Sequence, residues 1–279
     1  MPTASDTMLP PRLSCEDSAD LAQAVRLLEG DRFASRLMRL LGGQVQAIGR
    51  ALPSPARKAI ALATESALKA ALRVAVRSLN ATAQGKASNR WHMAAASATG
   101  AVGGAFGMAA TAVELPVSTT ILLRSIADIA REQGEDVRTP EAALACLEVF
   151  ALGGERPTEA GQESSYFAAR AGLAQSVSES ARFLLKQGMA SETAPVLVRL
   201  VSQIAARFGV VVTEKVAAQA VPVVGAVGGA AVNAAFAHHF QGTARGHFTV
   251  RRLERKHGAD VVRFEYERLR GEIKQPAAP

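Results

Sequence analysis

The sequence predicts an all-α protein, a multi-helix bundle in which two glycine-rich, alanine-rich helices pack closely. Apolar residues recur at helical spacing over most of the chain. No stretch shows sustained alternation of apolar and polar residues with β-branched enrichment, which a sheet would need. Aromatic residues make up only 5% of a chain that is 48% hydrophobic, and alanine replaces the missing bulk. An alanine-rich core favours closely spaced helices over strands.

The two ends of the chain are predicted to lie outside the folded part. Residues 1–16 contain three prolines and no periodicity, which indicates a loose tail. Between Asp17 and about Gly42, leucine and valine recur at helical spacing and predict one or two amphipathic helices. We expect a single helical domain over residues 17–272 and a second loose tail over residues 273–279.

The next helix begins after the Pro53-Ser54-Pro55 interruption and runs to about Leu79. Ser54 is placed to cap it and Pro55 to occupy its first position. One side of this helix is mainly basic and the opposite side is apolar, so the basic side suits an anionic surface. The alternative is an ordinary solvated face above a core. The basic residues that we assign to anionic contact are Lys58, Lys69, Arg73 and Arg77.

Prolines and glycines predict the ends of the helices that follow. Pro116 is expected to interrupt the first apolar run, so that a new helix extends from Val117 to Gln133, with Gly134 as its left-handed stop. Thr139-Pro140 forms a cap and a first turn, and Gly153-Gly154 ends that helix. Further helical segments are predicted at about 165–186, 192–215, 222–241 and 248–270.

Two uncharged runs share a repeated hexapeptide, Gly-Ala-Val-Gly-Gly-Ala, at residues 100–105 and 225–230. The first run, residues 93–113, has 21 residues without Asp, Glu, Lys, Arg or His, and the second, residues 216–237, has 22. Each is long enough to cross a bilayer core of about 30 Å, which needs about 20 apolar residues. Their small residues make both weak membrane spans, because side-chain bulk is low.

The glycines in these runs need compensation, since each costs roughly 1 kcal/mol relative to alanine inside a helix. Small residues at four-residue spacing let helix backbones approach closely, as they do at helix contacts in membranes. We therefore expect the two runs to pack on each other or to insert as a hairpin; the alternative is a soluble bundle core with two close crossings. The residues assigned to this packing are Gly100, Gly103, Gly104, Gly107, Gly225, Gly228 and Gly229.

A net charge of +7 favours anionic partners, and two segments hold most of it. Residues 57–90 contain seven basic residues against one acid, and residues 245–274 contain nine against five. Few aromatic residues accompany the second segment and its acids dilute its field, so we expect no nucleic-acid partner. Its residues assigned to anionic contact are Arg251, Arg252 and Arg255.

Chemical motifs are sparse. Glu114 is the one acid between residues 93 and 123, and it is interpreted as a cap for the helix after Pro116 or as a functional carboxylate. An alternative hydrolase-type enzyme would use a site near Glu114, Asp128 and His238. No metal-ligand spacing or phosphate-binding loop is present, so we expect no metal and no cofactor. Cys15 and Cys146 are expected to be reduced.

Residues 99–154, 221–240 (VPVVGAVGGAAVNAAFAHHF) and 244–258 (ARGHFTVRRLERKHG) resemble the EcsC protein family. The resemblance extends over roughly residues 60–270 and leaves the N-terminal 50 residues outside. It implies a bacterial helical protein whose biochemical role is poorly defined and whose name comes from an association with transport systems. It implies no catalytic residues for this chain.

Together these patterns favour a cytoplasmic protein that associates peripherally, or by partial insertion, with the inner membrane face. The expected partner is an anionic membrane lipid or a membrane protein, which the basic segments and the glycine-rich helices would contact. Synthesis in the cytoplasm is expected because the N-terminus lacks a secretory signal. A soluble homo-oligomeric scaffold that uses the glycine faces is a further alternative.

Overall fold

In a computed structural model the chain folds as a helical bundle. The structure describes residues 13–30, 33–35, 37, 44–79, 108–154, 164–187, 194–220 and 225–274, and within these ranges no strand occurs. The helices with defined bounds are α1 (Cys15–Glu29), α2 (Gln44–Ala51), α3 (Ser54–Ser78), α4 (Met108–Glu132), α5 (Pro140–Leu152), α6 (Ser165–Gln187), α7 (Pro195–Gln219), α8 (Gly225–His257) and α9 (Ala259–Lys274). The all-α prediction is confirmed.

The predicted tails lie mostly outside the described residues. Because α1 begins at Cys15, the last two residues of the predicted N-terminal tail are helical. At the other end α9 extends to Lys274, two residues into the predicted C-terminal tail. The single domain over residues 17–272 stays a prediction.

Several helix ends follow the predicted local chemistry. The Thr139 hydroxyl accepts a hydrogen bond of 3.3 Å from the backbone N–H three residues on, and Pro140 is the first helical residue of α5. Gly134 has a φ of +79°, the left-handed conformation that glycine adopts readily. Gly153 follows the last turn of α5. Ser54 is not a cap: it is the first residue of α3, and the N-cap is the proline before it.

The prediction that Pro116 ends a helix is wrong, because α4 continues through it from Met108 to Glu132. Proline lacks the N–H that would bond to the carbonyl four residues earlier. Two side-chain hydroxyls donate hydrogen bonds to backbone carbonyls near Pro116: Ser118 Oγ donates to the Leu115 carbonyl at 3.2 Å, and Thr120 Oγ1 donates to the Pro116 carbonyl at 2.8 Å. Leu115 is fully buried, so tertiary packing overrides the local preference.

The bounds predicted for the two helical segments at 222–241 and 248–270 are also wrong. One helix, α8, spans Gly225–His257, and it ends before Gly258, whose φ is +91°. The glycines near its middle do not break it because α1 crosses there. A Cβ built on Gly246 would lie 2.7 Å from Leu28 Cγ, so only glycine permits this close approach.

The second uncharged run does not form one helix. Its first four residues end α7 at Gln219, Ala220 is the C-cap of that helix, and its residues from Gly225 onward belong to α8. The first run lies largely outside the described residues, which resume at Met108.

The core has two parts. The larger one lies among α3, α4, α5, α7 and α8, and aromatic rings of three of these helices meet in it. The ring centroids of Phe150 and Phe208 are 5.0 Å apart, as are those of Phe236 and Phe240. The smaller core joins α1, α6, α8 and α9 around stacked rings of Tyr166 and Tyr266.

Among the described helices, α7 alone is long and apolar enough to cross a membrane, by length and composition only. It has 25 residues and a mean hydropathy of 1.6 over its most apolar window, of which 39% is buried inside the protein. It also packs against α2, α3, α5, α6 and α8. A core helix of a bundle passes the same test of composition, so the result does not by itself indicate a span.

Candidate functional site

The outer face of α3 carries a row of exposed cations. Lys58, Lys69, Arg73 and Arg77 are all exposed, as the helical period predicts. Between them lies Leu62, which is 69% exposed. On the opposite side of the helix the apolar residues face the core, among them Ile60, Ala67, Leu68 and Leu72.

One acid of the described residues, Glu65, lies beside this row. Glu65 lies 3.6 Å from Lys69, and both side chains are about half exposed, so the pair contributes little. Arg57, next to Lys58, is exposed and has no carboxylate partner among the described residues. The face that sequence analysis assigned to anionic contact is therefore available on the surface, and its lipid contact stays a prediction.

The three C-terminal arginines have a different environment. Arg251 on α8 donates two hydrogen bonds to Glu135, at 2.8 and 3.1 Å, and Arg255 pairs with the same carboxylate. Arg252 pairs with Asp20 on α1 at 2.5 Å. These cations hold α8 to α1 and to the turn after α4. Carboxylates of the protein pair with all three, and their contact with an external anionic surface stays a prediction.

A surface groove of about 400 Å³ runs between α3 and α7, beside the basic row. Arg57 lines it from α3, and small side chains of α7 form much of its other wall. A Cβ built on Gly209 would meet no atom within 4 Å, so the groove is open at this position. The lining residues are Arg57, Ile60, Ala61, Glu65, Ser202, Ala205, Ala206, Gly209, Val210 and Thr213.

Below this surface, a buried ion pair joins α4, α7 and α8. Lys215 Nζ donates to both oxygens of Glu114 at 2.9 and 3.0 Å, and Asn233 Nδ2 donates to the same carboxylate at 3.3 Å. Lys215 is 1% exposed, and burial lowers its pKa although Glu114 acts in the opposite direction. The ammonium also lies 4.8 Å from the ring centroid of Phe236. Glu114 is thus an interior residue of α4 and not the helix cap that the sequence suggested.

A second polar centre lies where α5, α6 and α8 meet. Tyr166 Oη is 3.0 Å from His247 Nδ1, and it also accepts a hydrogen bond of 3.3 Å from Arg170. Arg170 binds Glu254 through two further hydrogen bonds, at 2.8 and 3.1 Å. Burial lowers the pKa of His247 well below its usual value, so the imidazole is neutral.

Glu148 lies next to this second centre. It is 6% exposed, on a helix of otherwise apolar buried residues. Burial raises its pKa to about 7, against the opposing effect of Arg170 and Arg251. Sequence reasoning missed it, as it missed His247 and Tyr166. The available signal was a single acid in the apolar stretch of residues 142–152.

The residues of the alternative enzyme site are not brought together. Glu114 and Asp128 both belong to α4, and 14 residues of helix separate them by about 21 Å. Asp128 pairs with Arg131. His238 is exposed, whereas the adjacent His239 is buried with Nε2 2.7 Å from the Gly153 carbonyl oxygen. Across the described part of the chain, no group of three or more His, Cys, Asp or Glu could hold a metal ion.

The glycines assigned to helix packing fall in two groups. The first four, Gly100, Gly103, Gly104 and Gly107, lie outside the described residues. The others, Gly225, Gly228 and Gly229, belong to the first turns of α8, and Gly229 is buried. The packing of one run on the other stays a prediction.

A different pair of glycines lies where α8 crosses α1. Gly242 and Gly246, four residues apart, face α1, and a Cβ built on Gly242 would lie 3.5 Å from Leu27 Cδ2. The spacing is the small-residue pattern of close helix contacts. These two glycines lie beyond the second uncharged run, which ends at residue 237, and no packing role was predicted for them.

Comparison with known proteins adds one finding. The model of the EcsC protein family matches residues 21–253. The match begins well inside the N-terminal 50 residues, so the expectation that these lie outside the resemblance is wrong; α2 and most of α1 belong to the matched region. No curated protein and no solved structure matches the chain.

Proposed function

The chain belongs to the EcsC protein family, and we propose that it acts at an anionic membrane surface, which it contacts through the outer face of α3. The observation that carries the proposal is the exposed row of Lys58, Lys69, Arg73 and Arg77 around Leu62. Clustered Lys and Arg residues are attracted to anionic lipid headgroups, and burial of an exposed apolar side chain among them adds a hydrophobic contribution. The surface is the inner leaflet of the membrane, whose lipids are anionic.

The dimensions of this face suit several headgroups. From Lys58 to Arg77 the helix rises about 28 Å, and all four cations lie within a sector of about 100°. Each cation near an anionic surface contributes on the order of 1 kcal/mol, so the four of them contribute about 4 kcal/mol. Insertion of Leu62 adds about 2 kcal/mol. Salt weakens the first contribution and leaves the second, because only charge interactions are screened.

The apolar side of α3 is already occupied, which favours adsorption over deep insertion. Ala67 and Ala71 are fully buried, and Leu68 is 1% exposed against α4 and α7. To insert the whole helix, the protein would have to expose this part of its core to lipid. The proposal is therefore a peripheral contact in which α3 stays on the bundle.

Vesicle flotation across a salt series tests the proposal. We expect the full chain to float with phosphatidylglycerol vesicles at low salt and to stay behind with phosphatidylcholine vesicles. Reversing three charges of the row, with Lys69→Glu, Arg73→Glu and Arg77→Glu, should reduce partition about a hundredfold, because about 3 kcal/mol is removed.

A matched control separates the location of the charges from their number. The variant Arg26→Glu, Arg182→Glu, Lys186→Glu makes the same change in net charge on exposed positions of α1 and α6. It should retain most of the binding. Equal losses in both triple variants would show that net charge alone drives adsorption, and no flotation of the wild type would remove the proposal.

A further inference from the structure

The groove between α3 and α7 is not a product of close helix packing. Small residues normally allow two backbones to approach, as at Gly246, where an added Cβ would be 2.7 Å from a side chain of α1. A Cβ added to Gly209, by contrast, would meet no atom within 4 Å. The small residues on this side of α7, including Ala206 and Thr213, therefore leave space open, and no described part of the chain fills it.

The groove has an apolar wall and a cationic end. Ile60, Ala205 and Val210 supply apolar surface, and Arg57 lines the groove without a carboxylate partner in the part of the chain described. The other charged lining residue, Glu65, is close to Lys69, which offsets its charge. The electrostatic character of the groove is thus set by one guanidinium, which binds phosphate in a bidentate manner.

The size of the groove suits a single lipid chain. Its volume of about 400 Å³ falls within the range of small-molecule sites, roughly 300–1,000 Å³. Along α7 the lining extends from Ser202 to Thr213, which is about 16 Å of helix. Half of a bilayer core of about 30 Å is close to this length, and it is the depth that the acyl chain of one leaflet reaches.

The position of the groove supplies the source of the ligand. Glu65 lines the groove and lies 3.6 Å from Lys69 of the row, so the groove adjoins the proposed membrane contact on the surface of α3. An anionic lipid that meets the row can place its phosphate on Arg57 without crossing another surface.

We propose that the α3–α7 groove binds one anionic phospholipid, with an acyl chain along α7 and the phosphate on Arg57. The inference rests on the proposed function for the supply of lipid and goes beyond it by naming a stoichiometric site. Binding in the groove saturates at one lipid per protein molecule. Adsorption to the outer face of α3 does not saturate at this ratio.

Titration with a single-chain phosphatidylglycerol, below its micelle concentration, tests the groove in the full-length protein. We expect one site per chain by calorimetry. Gly209→Leu places a side chain into the open space and should weaken binding at least tenfold, since the volume for the chain is lost. Gly271→Leu is the matched control: it is also a helical glycine whose added Cβ meets no atom within 4 Å, but on α9, and it should bind as the wild type does.

A comparison of two single-chain probes tests whether Arg57 binds the phosphate. Arg57→Gln should weaken the phosphatidylglycerol probe about tenfold and leave a monoacylglycerol of the same chain length unchanged, because only the first carries the charge that Arg57 binds. A free fatty acid that binds as tightly as the phospholipid, and equally in Arg57→Gln, would overturn the assignment of the headgroup.

The two proposals can fail separately. Gly209→Leu should still float with anionic vesicles, because the row on α3 is intact. The double charge reversal Arg73→Glu, Arg77→Glu leaves the Lys69–Glu65 pair intact and should still bind the single-chain probe, because neither position lines the groove. Absence of a stoichiometric lipid in the wild type, or an equal loss in Gly271→Leu, would overturn the groove proposal and leave the surface proposal standing.

Discussion

Replacing Glu148 with glutamine is expected to stabilise the protein at alkaline pH and to change its stability little in acid. The carboxyl group is buried beside Arg170 of α6 and Arg251 of α8, and burial is the dominant cause of its raised pKa. Tyr166 and Glu254 also face this position from the same two helices. The glutamine side chain has nearly the same shape and cannot ionise.

The magnitude follows from the two pKa values of Glu148. In the unfolded chain the value is 4.5 and in the folded protein it is about 7. Because the folded value is raised, the contribution of this group to stability is present below about pH 4.5 and is lost as pH rises through about 7. The difference corresponds to about 3 kcal/mol, since one pKa unit is about 1.36 kcal/mol.

Chemical denaturation of both proteins between about pH 4.5 and 8.5 measures this effect through the free energy of unfolding. The advantage of Glu148→Gln should grow with pH and level off above about pH 8. Glu132→Gln, at an exposed position of α4, is the control and should differ from the wild type by less than about 0.5 kcal/mol. A difference between Glu148→Gln and the wild type that stays constant with pH would refute the assignment of Glu148 as a buried acid.

Two further predictions concern the other buried groups. Glu114→Ala leaves the Lys215 ammonium without its carboxylate and should lower the free energy of unfolding by about 3–5 kcal/mol, measured by denaturation. The double variant Glu114→Leu, Lys215→Met should recover most of this loss, because no unpaired charge remains buried. A double variant as unstable as the single one would contradict this. Cys146 is buried and its pKa is raised to about 12, so in a thiol-reactivity assay Cys15, which is exposed, should react in the native protein and Cys146 only after unfolding.

Local signals were sufficient where a single residue decides the backbone. Thr139 and Gly134 gave the start of α5 and the end of α4 correctly, because a hydroxyl cap and a left-handed glycine act within one turn. The exposed row on α3 was also predicted, since the helical period alone places Lys69 and Arg73 on one side.

Where packing between distant segments decides, sequence reasoning failed. Pro116 reads as a break, yet α4 continues through it beside the buried Leu115. The gap predicted between residues 241 and 248 contains Gly246, which instead lies within α8 where that helix crosses α1. Glu114 reads as a cap because its partner, Lys215, lies 101 positions away in the chain. No window of local sequence contains such a contact.

The placement of the buried charges bears on the lipid proposals. α3 packs against α4 and α7, and the Glu114–Lys215 pair fixes those two helices to each other. The wall of the groove and the support beneath the basic row therefore share this one polar contact. Glu148 belongs to the other centre, where α5 meets α6 and α8. It follows that a variant that breaks the Glu114–Lys215 pair should weaken both stability and binding of the single-chain lipid, whereas Glu148→Gln should change stability with pH and leave lipid binding unaltered. Loss of lipid binding in Glu148→Gln would mean that the two centres are coupled through α5.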